Sequence, residues 1–283
     1  MPWKTLASYD IAQSAMDFRP RATFMQYQKG GKGRNVEKAK MENLTVVLNK
    51  PKHSGNIGSV ARCAKNMGIS SIIVISPLNA DREKIEQLST HFALDIVEKI
   101  QYFDSLDEAL APFHYVVGTT GRSGDTSLKR SMIYPREMAE EILDISQNNK
   151  VALVFGPEDR GLTNKELKSC DLLVKIPTSG DLKSINLSHA VMIICYEIFT
   201  ASSEGTAVFT QKLATVAEIE AMYEHLKEMF LRIGFIKTQN PEYWMTNVRR
   251  FFSRTTLLAK DVKIMRGICH QVELYGRKGS RKP

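Results

Sequence analysis

The sequence has 283 residues, 43% of them hydrophobic, so it can bury a core and is not a chain that is disordered throughout. Its net charge of +8 is unevenly spread: residues 1–40 carry +5, residues 41–200 carry −3, and residues 201–283 carry +6. A mildly acidic body with two basic ends indicates contact with a polyanion such as nucleic acid, although basic ends that only keep a chain in solution would show the same pattern.

Residues 1–40 show little periodicity and contain a basic, glycine-rich run from Gln28 to Arg34. This composition predicts a flexible basic extension, and a basic arm that contacts RNA is the sharper alternative. Transit peptides contain few acidic residues, so Asp10 and Asp17 do not fit one, and no apolar segment marks a secretory signal. Met41 directly precedes the first strand pattern, so the natural product could also start there.

Residues 41–201 alternate short apolar runs with helix-like stretches. Each run is ended by glycine, proline or a polar loop and predicts a buried strand. The runs begin at Leu44, Ile72, Tyr115, Val151 and Leu172, and the last is predicted to end at Ile176. Helices are predicted from about Ile57, from Pro135 to Ile145, and from about Leu187 to Thr200. Strands that alternate with helices predict an α/β domain with a parallel sheet.

The composition changes after residue 201. Residues 202–214 are predicted to form a linker, and the capping box from Thr215 to Glu218 then begins a helix that Gly234 ends. Asn240 and Pro241 begin a second helix, and a third is expected over about residues 261–275. Residues 215–283 are therefore predicted to form a helical C-terminal extension.

The second of these helices is strongly basic. Arg249, Arg250 and Arg254 lie near Tyr243 and Trp244, and this combination supplies the phosphate neutralisation and the stacking surface that an RNA-binding face needs. A small bundle or a brace between two subunits would show the same helices.

Three polar loops follow predicted strands: residues 119–121, 155–161 and 176–187. Parallel sheets build their ligand sites from such loops, at the carboxyl ends of the strands. None of the loops has the glycine spacing of a phosphate-binding motif, so a nucleotide held through its phosphates is not indicated. Their amides, hydroxyls and apolar residues suit a ligand with an adenine and an amino-acid part.

The remaining composition excludes several other classes of site. The cysteines are Cys63, Cys170, Cys195 and Cys269, and their scattered positions fit free thiols in a reducing compartment better than disulfides. The six histidines do not cluster at metal-ligand spacing, so no metal site is predicted. No apolar run reaches the ~18 residues of a membrane span.

Three motifs together resemble those of the SpoU/TrmH-type SPOUT methyltransferases, in the same order and at similar spacing. They run from Asn56 to Arg62, from Phe155 to Leu162 and from Ser184 to Ser188. Each alone also fits a plain helix entry, tight turn or helix cap, but the three together are specific. The resemblance covers about residues 42–200, and the C-terminal helices are similar, less specifically, to those of the TrmJ branch.

The resemblance implies a SPOUT-type parallel sheet with a C-terminal trefoil knot, which no pattern in the residues indicates. It implies methyl transfer from S-adenosylmethionine to a ribose 2′-hydroxyl of RNA, in a cytoplasmic homodimer packed through the knot region. TrmJ-like relatives act on nucleotide 32 of the tRNA anticodon loop, so tRNA is the first expected substrate. Ribosomal RNA is the second, and a non-catalytic RNA-binding protein is the alternative outside enzymes.

The resemblance also assigns roles to single residues. Arg62 matches the catalytic arginine of the family. We expect three polar residues to orient Arg62 or the ribose: Asn56, Glu158 and Asn186. Ser184 is expected to contact the substrate phosphate or the cofactor. Because a guanidinium resists deprotonation, we expect Arg62 to hold the target phosphate and to stabilise negative charge rather than to act as a base.

Two further sets of binding residues are predicted. Arg122 is a candidate for serving the active site of the other subunit, alongside the RNA-binding arginines of the C-terminal extension. The residues expected to bind the cofactor are Thr119, Thr120, Gly121, Phe155, Gly156, Gly161, Ile176, Pro177, Ser184, Ile185 and Leu187.

Overall fold

The computed structural model describes residues 39–121, 132–179, 184–204, 210–236 and 239–279. The strands in these residues are β1 (Leu44–Asn49), β2 (Ser71–Ile75), β3 (Gln101–Phe103), β4 (Tyr115–Thr119), β5 (Met132–Ile133), β6 (Val151–Phe155) and β7 (Leu172–Val174). The α-helices are α1 (Ser54–Asn66), α2 (Arg82–Ser89), α3 (Leu94–Val97), α4 (Leu106–Leu110), α5 (Pro135–Ile145), α6 (Asn164–Lys168), α7 (Leu187–Glu204), α8 (Val216–Arg232), α9 (Pro241–Phe252) and α10 (Ala259–Gly279). Short 3-10 turns occupy Met41–Asn43 and His91–Ala93.

The strands form one sheet in the order β3-β2-β1-β6-β4-β7-β5, and every pair in it is parallel. β1 lies inside the sheet, next to the central strand β6; its Leu48 pairs with Val74 of β2 and with Phe155 of β6. Every residue of β1 and β6 is buried, as expected for parallel strands covered on both faces. The predicted α/β fold with a parallel sheet and C-terminal helices is therefore confirmed.

The two faces of the sheet are covered unequally. Successive residues of a strand point to opposite faces, so Val46 and Leu48 contribute to one core and Val47 to the other. The first core is closed by the long helices α1, α5 and α7. The second core is covered by the short helices α4 and α6, through residues such as Leu110 and Leu167.

Helix α1 approaches α2 closely at Gly58. A Cβ at this position would lie 2.1 Å from the carbonyl oxygen of Ile85, so only glycine fits without a shift of the backbone. The helix ends as predicted at Gly68, whose φ of +75° is a left-handed conformation that glycine adopts without steric cost. This packing sets the position of α1 over the carboxyl end of β1.

The C-terminal helices pack around their own core, which includes Met222, Leu226 and Met245. α8 begins with the predicted capping box: the hydroxyl of Thr215 accepts from the backbone N–H of Glu218 at 3.2 Å, and the carboxylate of Glu218 accepts from the backbone N–H of Thr215 at 2.8 Å.

The described part of the predicted linker is bound to the sheet domain. The backbone N–H of Leu213 donates to Asn149 Oδ1 at 2.9 Å, and the carbonyl of Thr210 accepts from Asn148 Nδ2 at 2.8 Å. Helix α7 also continues to Glu204, beyond the predicted boundary at residue 201. The division into domains stays a prediction.

The element predictions were accurate where the pattern was strong. Pro135–Ile145 is a helix with the predicted bounds, whereas the strand predicted from Leu172 to Ile176 ends at Val174. The edge strands β3 and β5 were missed, since three and two residues carry no periodic signal. The trefoil knot stays a prediction, because residues 122–131 and 180–183 lie outside the described residues. Most of the predicted basic N-terminal extension also lies outside them. No described helix has the length and apolar character to cross a membrane.

We expect Gly58→Ala to lower the free energy of unfolding by about 1–3 kcal/mol, because the added methyl group meets the backbone of α2. Urea denaturation measures this change. The matched control is Gly267→Ala in α10, where a Cβ would meet no atom within 4 Å. That variant should gain about 0.5–1 kcal/mol from the higher helix propensity of alanine. A Gly58→Ala protein as stable as the wild type would contradict the close approach of α1 and α2.

Candidate active site

A cavity of about 700 Å³ opens at the carboxyl ends of β4, β6 and β7. Its wall contains ten of the eleven residues predicted to bind a cofactor; Pro177, which is exposed, is the exception. The other lining residues are Pro157, Glu158, Asp159, Arg160, Val174 and Ala190. The structure thus brings the three predicted loops to one place.

The loop after β6 is shaped by two glycines. A Cβ on Gly156 would lie 2.3 Å from backbone atoms of Gly161 and Leu162, so the chain can fold back on itself only if residue 156 is glycine. Gly161 has a φ of +66°, and its N–H donates to the carbonyl of Pro157 at 2.9 Å. The result is a tight turn that forms one side of the cavity.

A chain of hydrogen bonds joins three of the predicted catalytic residues beside this cavity. Asn186 Nδ2 donates to Asn56 Oδ1 at 3.2 Å, and Asn56 Nδ2 donates to Glu158 Oε1 at 2.8 Å. Asn186 Oδ1 in turn accepts from the backbone N–H and the hydroxyl of Ser188, at 2.9 Å and 2.7 Å. Residues up to 130 positions apart in the sequence therefore act as one unit.

The two ends of this chain fix the orientation of both amides. A backbone N–H can only donate, so Asn186 must turn its oxygen to Ser188; the carboxylate of Glu158 can only accept, so Asn56 must turn its NH2 group to Glu158. The second N–H of each amide has no partner among the described residues. The site therefore offers donors, suited to an oxygen that carries or develops negative charge.

Glu158 is held in its ionised form. Burial would raise the pKa of its carboxyl, but hydrogen bonds from Asn56 and from the backbone N–H groups of Lys52 and His53 outweigh burial and lower this pKa from its ordinary value. Since the carboxylate already accepts three hydrogen bonds, it anchors the loop before α1 and is poorly suited to receive a further proton from a substrate.

Arg62 and Ser184 are the other two predicted catalytic residues. Arg62 is exposed on α1 six positions after Asn56, and it forms no hydrogen bond or ion pair with another described residue. Ser184 is exposed at the cavity wall. The structure does not join either side chain to the hydrogen-bonded chain that ends at Glu158.

The predicted RNA-binding arginines differ in their surroundings. Both nitrogens of the Arg249 fork bind Glu220, at 2.6 Å and 2.7 Å, and the guanidinium lies 4.4 Å from the ring centre of Tyr223. The hydrogen bond from Arg249 to Glu220 raises the pKa of Arg249. Arg250 and Arg254 are exposed and have no ion pair with a described residue, whereas Arg122 lies outside the described residues.

Some features of the site were not predicted. The backbone N–H groups of Lys52 and His53 hold Glu158, and Lys52 Nζ pairs with Asp159 at 2.7 Å. Backbone donors leave no mark on residue identity, so the sequence could only place a polar loop there. In the described part of the chain, no cluster of histidine, cysteine and carboxylate side chains could hold a metal ion.

Comparisons with known proteins match both parts of the chain. Residues 43–196 match the SpoU rRNA Methylase family, and residues 217–282 match the C-terminal domain of tRNA methyltransferase TrmJ. The tRNA (cytidine/uridine/adenosine-2'-O-)-methyltransferase TrmJ of Pseudomonas aeruginosa is 33% identical over 251 residues, which cover 84% of this chain and 96% of that protein. The tRNA (cytidine/uridine-2'-O-)-methyltransferase TrmJ of Photorhabdus laumondii is 35% identical over 243 residues, covering 84% and 100%. The solved structure of TrmJ from Z. mobilis has a TM-score of 0.68 at 22% identity, covers 81% of this chain and 98% of that one, and shows the same fold.

We expect Glu158→Gln to weaken the pH dependence of stability in acid. The folded protein lowers the pKa of Glu158 from 4.5, so the ionised form stabilises the fold above about pH 4.5, and that contribution is lost as the pH falls through the folded-state pKa. Between about pH 5 and about pH 3, the free energy of unfolding of the wild type should fall more steeply than that of the variant. Urea denaturation at several pH values measures both slopes, and equal slopes would show that the three hydrogen bonds do not favour the carboxylate.

Proposed function

The chain belongs to the SpoU rRNA Methylase family, and from this membership we propose that it transfers a methyl group from S-adenosylmethionine to a ribose 2′-hydroxyl of tRNA. A cytidine or uridine at position 32 of the anticodon loop is the first expected target. The observation that carries the proposal is the cavity at the carboxyl edge of the sheet, with the donor network of Asn56, Glu158 and Asn186 beside it. The names of the relatives supply the tRNA and the 2′-oxygen.

The cavity fits the size and chemistry of S-adenosylmethionine. A volume of about 700 Å³ lies within the range of small-molecule sites. Ile176, Ile185 and Leu187 offer an apolar wall for an adenine, and the loop of residues 119–121 offers hydroxyls and amides for polar groups. Gly156 allows the tight turn that forms one side of this cavity. When bound, S-adenosylmethionine supplies the methyl group on a sulfonium, which is a good leaving group.

The residues of the chain would then position the ribose and stabilise the charge that develops on its 2′-oxygen. The N–H groups of Asn56 and Asn186 that have no partner in the described part of the chain are donors for an oxygen of the substrate. The guanidinium of Arg62 can hold a phosphate through two parallel hydrogen bonds. Because Glu158 already accepts three hydrogen bonds, we expect the proton of the 2′-hydroxyl to leave to the phosphate or to water.

A homodimer and a cytoplasmic location complete the proposal. Tyr196 and Phe199 on α7 are 53% and 43% exposed, and a second copy of the chain packed on α7 would bury both rings. The four cysteines are free, which suits a reducing compartment.

The test is a methylation assay with purified protein, labelled S-adenosylmethionine and total tRNA, followed by nuclease digestion and nucleoside analysis. We expect 2′-O-methylcytidine or 2′-O-methyluridine. Arg62→Ala should lower the rate of methylation about 100-fold, because it removes the charged guanidinium that donates to the phosphate. Calorimetry should show unchanged cofactor binding. Arg62→Lys keeps the charge but loses the fork, so near-full activity of this variant would contradict bidentate phosphate binding.

The control for this test is Lys99→Ala, which should leave the rate unchanged. Lys99 is an exposed cation just before β3, at the amino edge of the sheet, whereas the cavity lies at the carboxyl edge. Label in ribosomal RNA but not in tRNA would keep the reaction and change the substrate. Tight RNA binding without label or cofactor binding would support the non-catalytic alternative.

The arginines of α9 and the turn after it should separate into two classes. In the double variant Arg250→Ala/Arg254→Ala, we expect weaker tRNA binding, because both side chains are exposed and unpaired among the described residues. The slope of log affinity against log salt concentration should become shallower by about one for each phosphate that is no longer neutralised. Arg249→Ala should instead mainly lower the melting temperature, because Arg249 binds Glu220 and Tyr223. Fluorescence anisotropy at several salt concentrations and thermal unfolding measure the two effects, and a greater weakening of tRNA binding in Arg249→Ala would reverse the assignment.

A further inference from the structure

One face of α1 runs alongside the segment that follows α2. Gly58, Arg62 and Lys65 lie on this face at spacings of four and three residues. A Cβ on Gly58 would meet Ser89 N at 3.0 Å, and Lys65 forms an ion pair with Asp95. Arg62 lies between these two contacts, so residues 90–94 pass beside it.

This segment exposes an aromatic pair. Phe92 is 66% exposed, and its ring centre lies 3.8 Å from that of His91. The next residue, Ala93, is fully buried and packs into the main core, so the exposure of Phe92 results from a well-anchored turn. No other described ring stacks on Phe92.

The backbone of the turn is strained. Thr90 has a φ of +58° and a ψ of 167°, which a β-branched residue rarely adopts. Its buried hydroxyl oxygen has no hydrogen-bond partner among the described residues. The N–H of Ala93 donates to the carbonyl of Thr90 at 3.2 Å and closes the turn. Strain of this kind is concentrated at binding sites, where the conformation serves the ligand rather than stability.

We propose that Phe92, supported by His91, is a stacking surface for a nucleobase of the RNA substrate next to the methylated nucleotide. The inference rests on the proposed function and deepens it. Loop nucleotides of RNA are recognised with their bases unstacked, and an aromatic ring replaces the lost stacking. Arg62 holds the phosphate while Phe92 holds a neighbouring base, so the ribose between them is positioned from both sides. A phenyl ring has no hydrogen-bonding groups, so this contact accepts any base.

The test uses the full chain and a tRNA transcript in which 2-aminopurine replaces each neighbour of the target nucleotide in turn. Binding of the wild type should quench the fluorescence at one position, because stacking quenches 2-aminopurine. Phe92→Leu should lose this quenching at saturating protein and raise the KM for tRNA about tenfold, with kcat and cofactor affinity nearly unchanged. Phe92→Trp should restore both, since tryptophan also stacks.

The matched control is Tyr102→Leu, which replaces an aromatic residue that is 51% exposed on the edge strand β3 and should change neither quenching nor KM. Unchanged quenching and KM in Phe92→Leu would overturn the proposal. A loss that Phe92→Trp does not restore would also overturn it, because it would assign Phe92 a structural role. Absence of methylation by the wild type would instead contradict the proposed function, and the quenching would still report whether Phe92 stacks on bound RNA.

Discussion

The site depends on one carboxylate, that of Glu158. It accepts hydrogen bonds from the loop after β1, through Lys52 and His53, and from the first turn of α1, through Asn56. Asn56 extends the connection to Asn186, directly before α7. Three segments that are distant in sequence are thus held together at the carboxyl edge of the sheet, where the low pKa of Glu158 keeps the bonds intact near neutral pH. The cavity beside them owes its shape to this arrangement as much as to the glycines of its loops.

Much of the architecture follows from local patterns in the sequence. Val151–Phe155 is a short apolar run ended by glycine, which is typical of a strand in a sheet covered on both faces. Pro135 and the capping box at Thr215 mark helix starts by chemistry that depends on few neighbours. The convergence of the three polar loops also follows from topology, since all the strands are parallel.

Other features could not be predicted because they depend on partners elsewhere in the chain. The sequence shows Arg249 as one of three clustered cations, but Glu220, on the preceding helix, neutralises it and leaves the other two exposed. The positive φ of Thr90 and the exposure of Phe92 likewise have no signal in the local sequence. The resemblance to a family supplied the expected roles of Asn56 and Asn186, and the structure adds the reason why their amides can point only one way.

The order of strands in the sheet has a consequence for synthesis of the chain. The inner strand β1 pairs with the central strand β6, more than a hundred residues later, and the core on one face of β1 is closed by Val191, Ile194 and Ile198 of α7. The backbone N–H of Ala39 even bonds to the hydroxyl of Ser202, 163 positions away. A nascent chain therefore cannot complete this core until about residue 200 has left the ribosome. Until then the apolar residues of β1 that face α7 stay uncovered, and the high contact order of the sheet makes folding slow and gives chaperones a period in which to act.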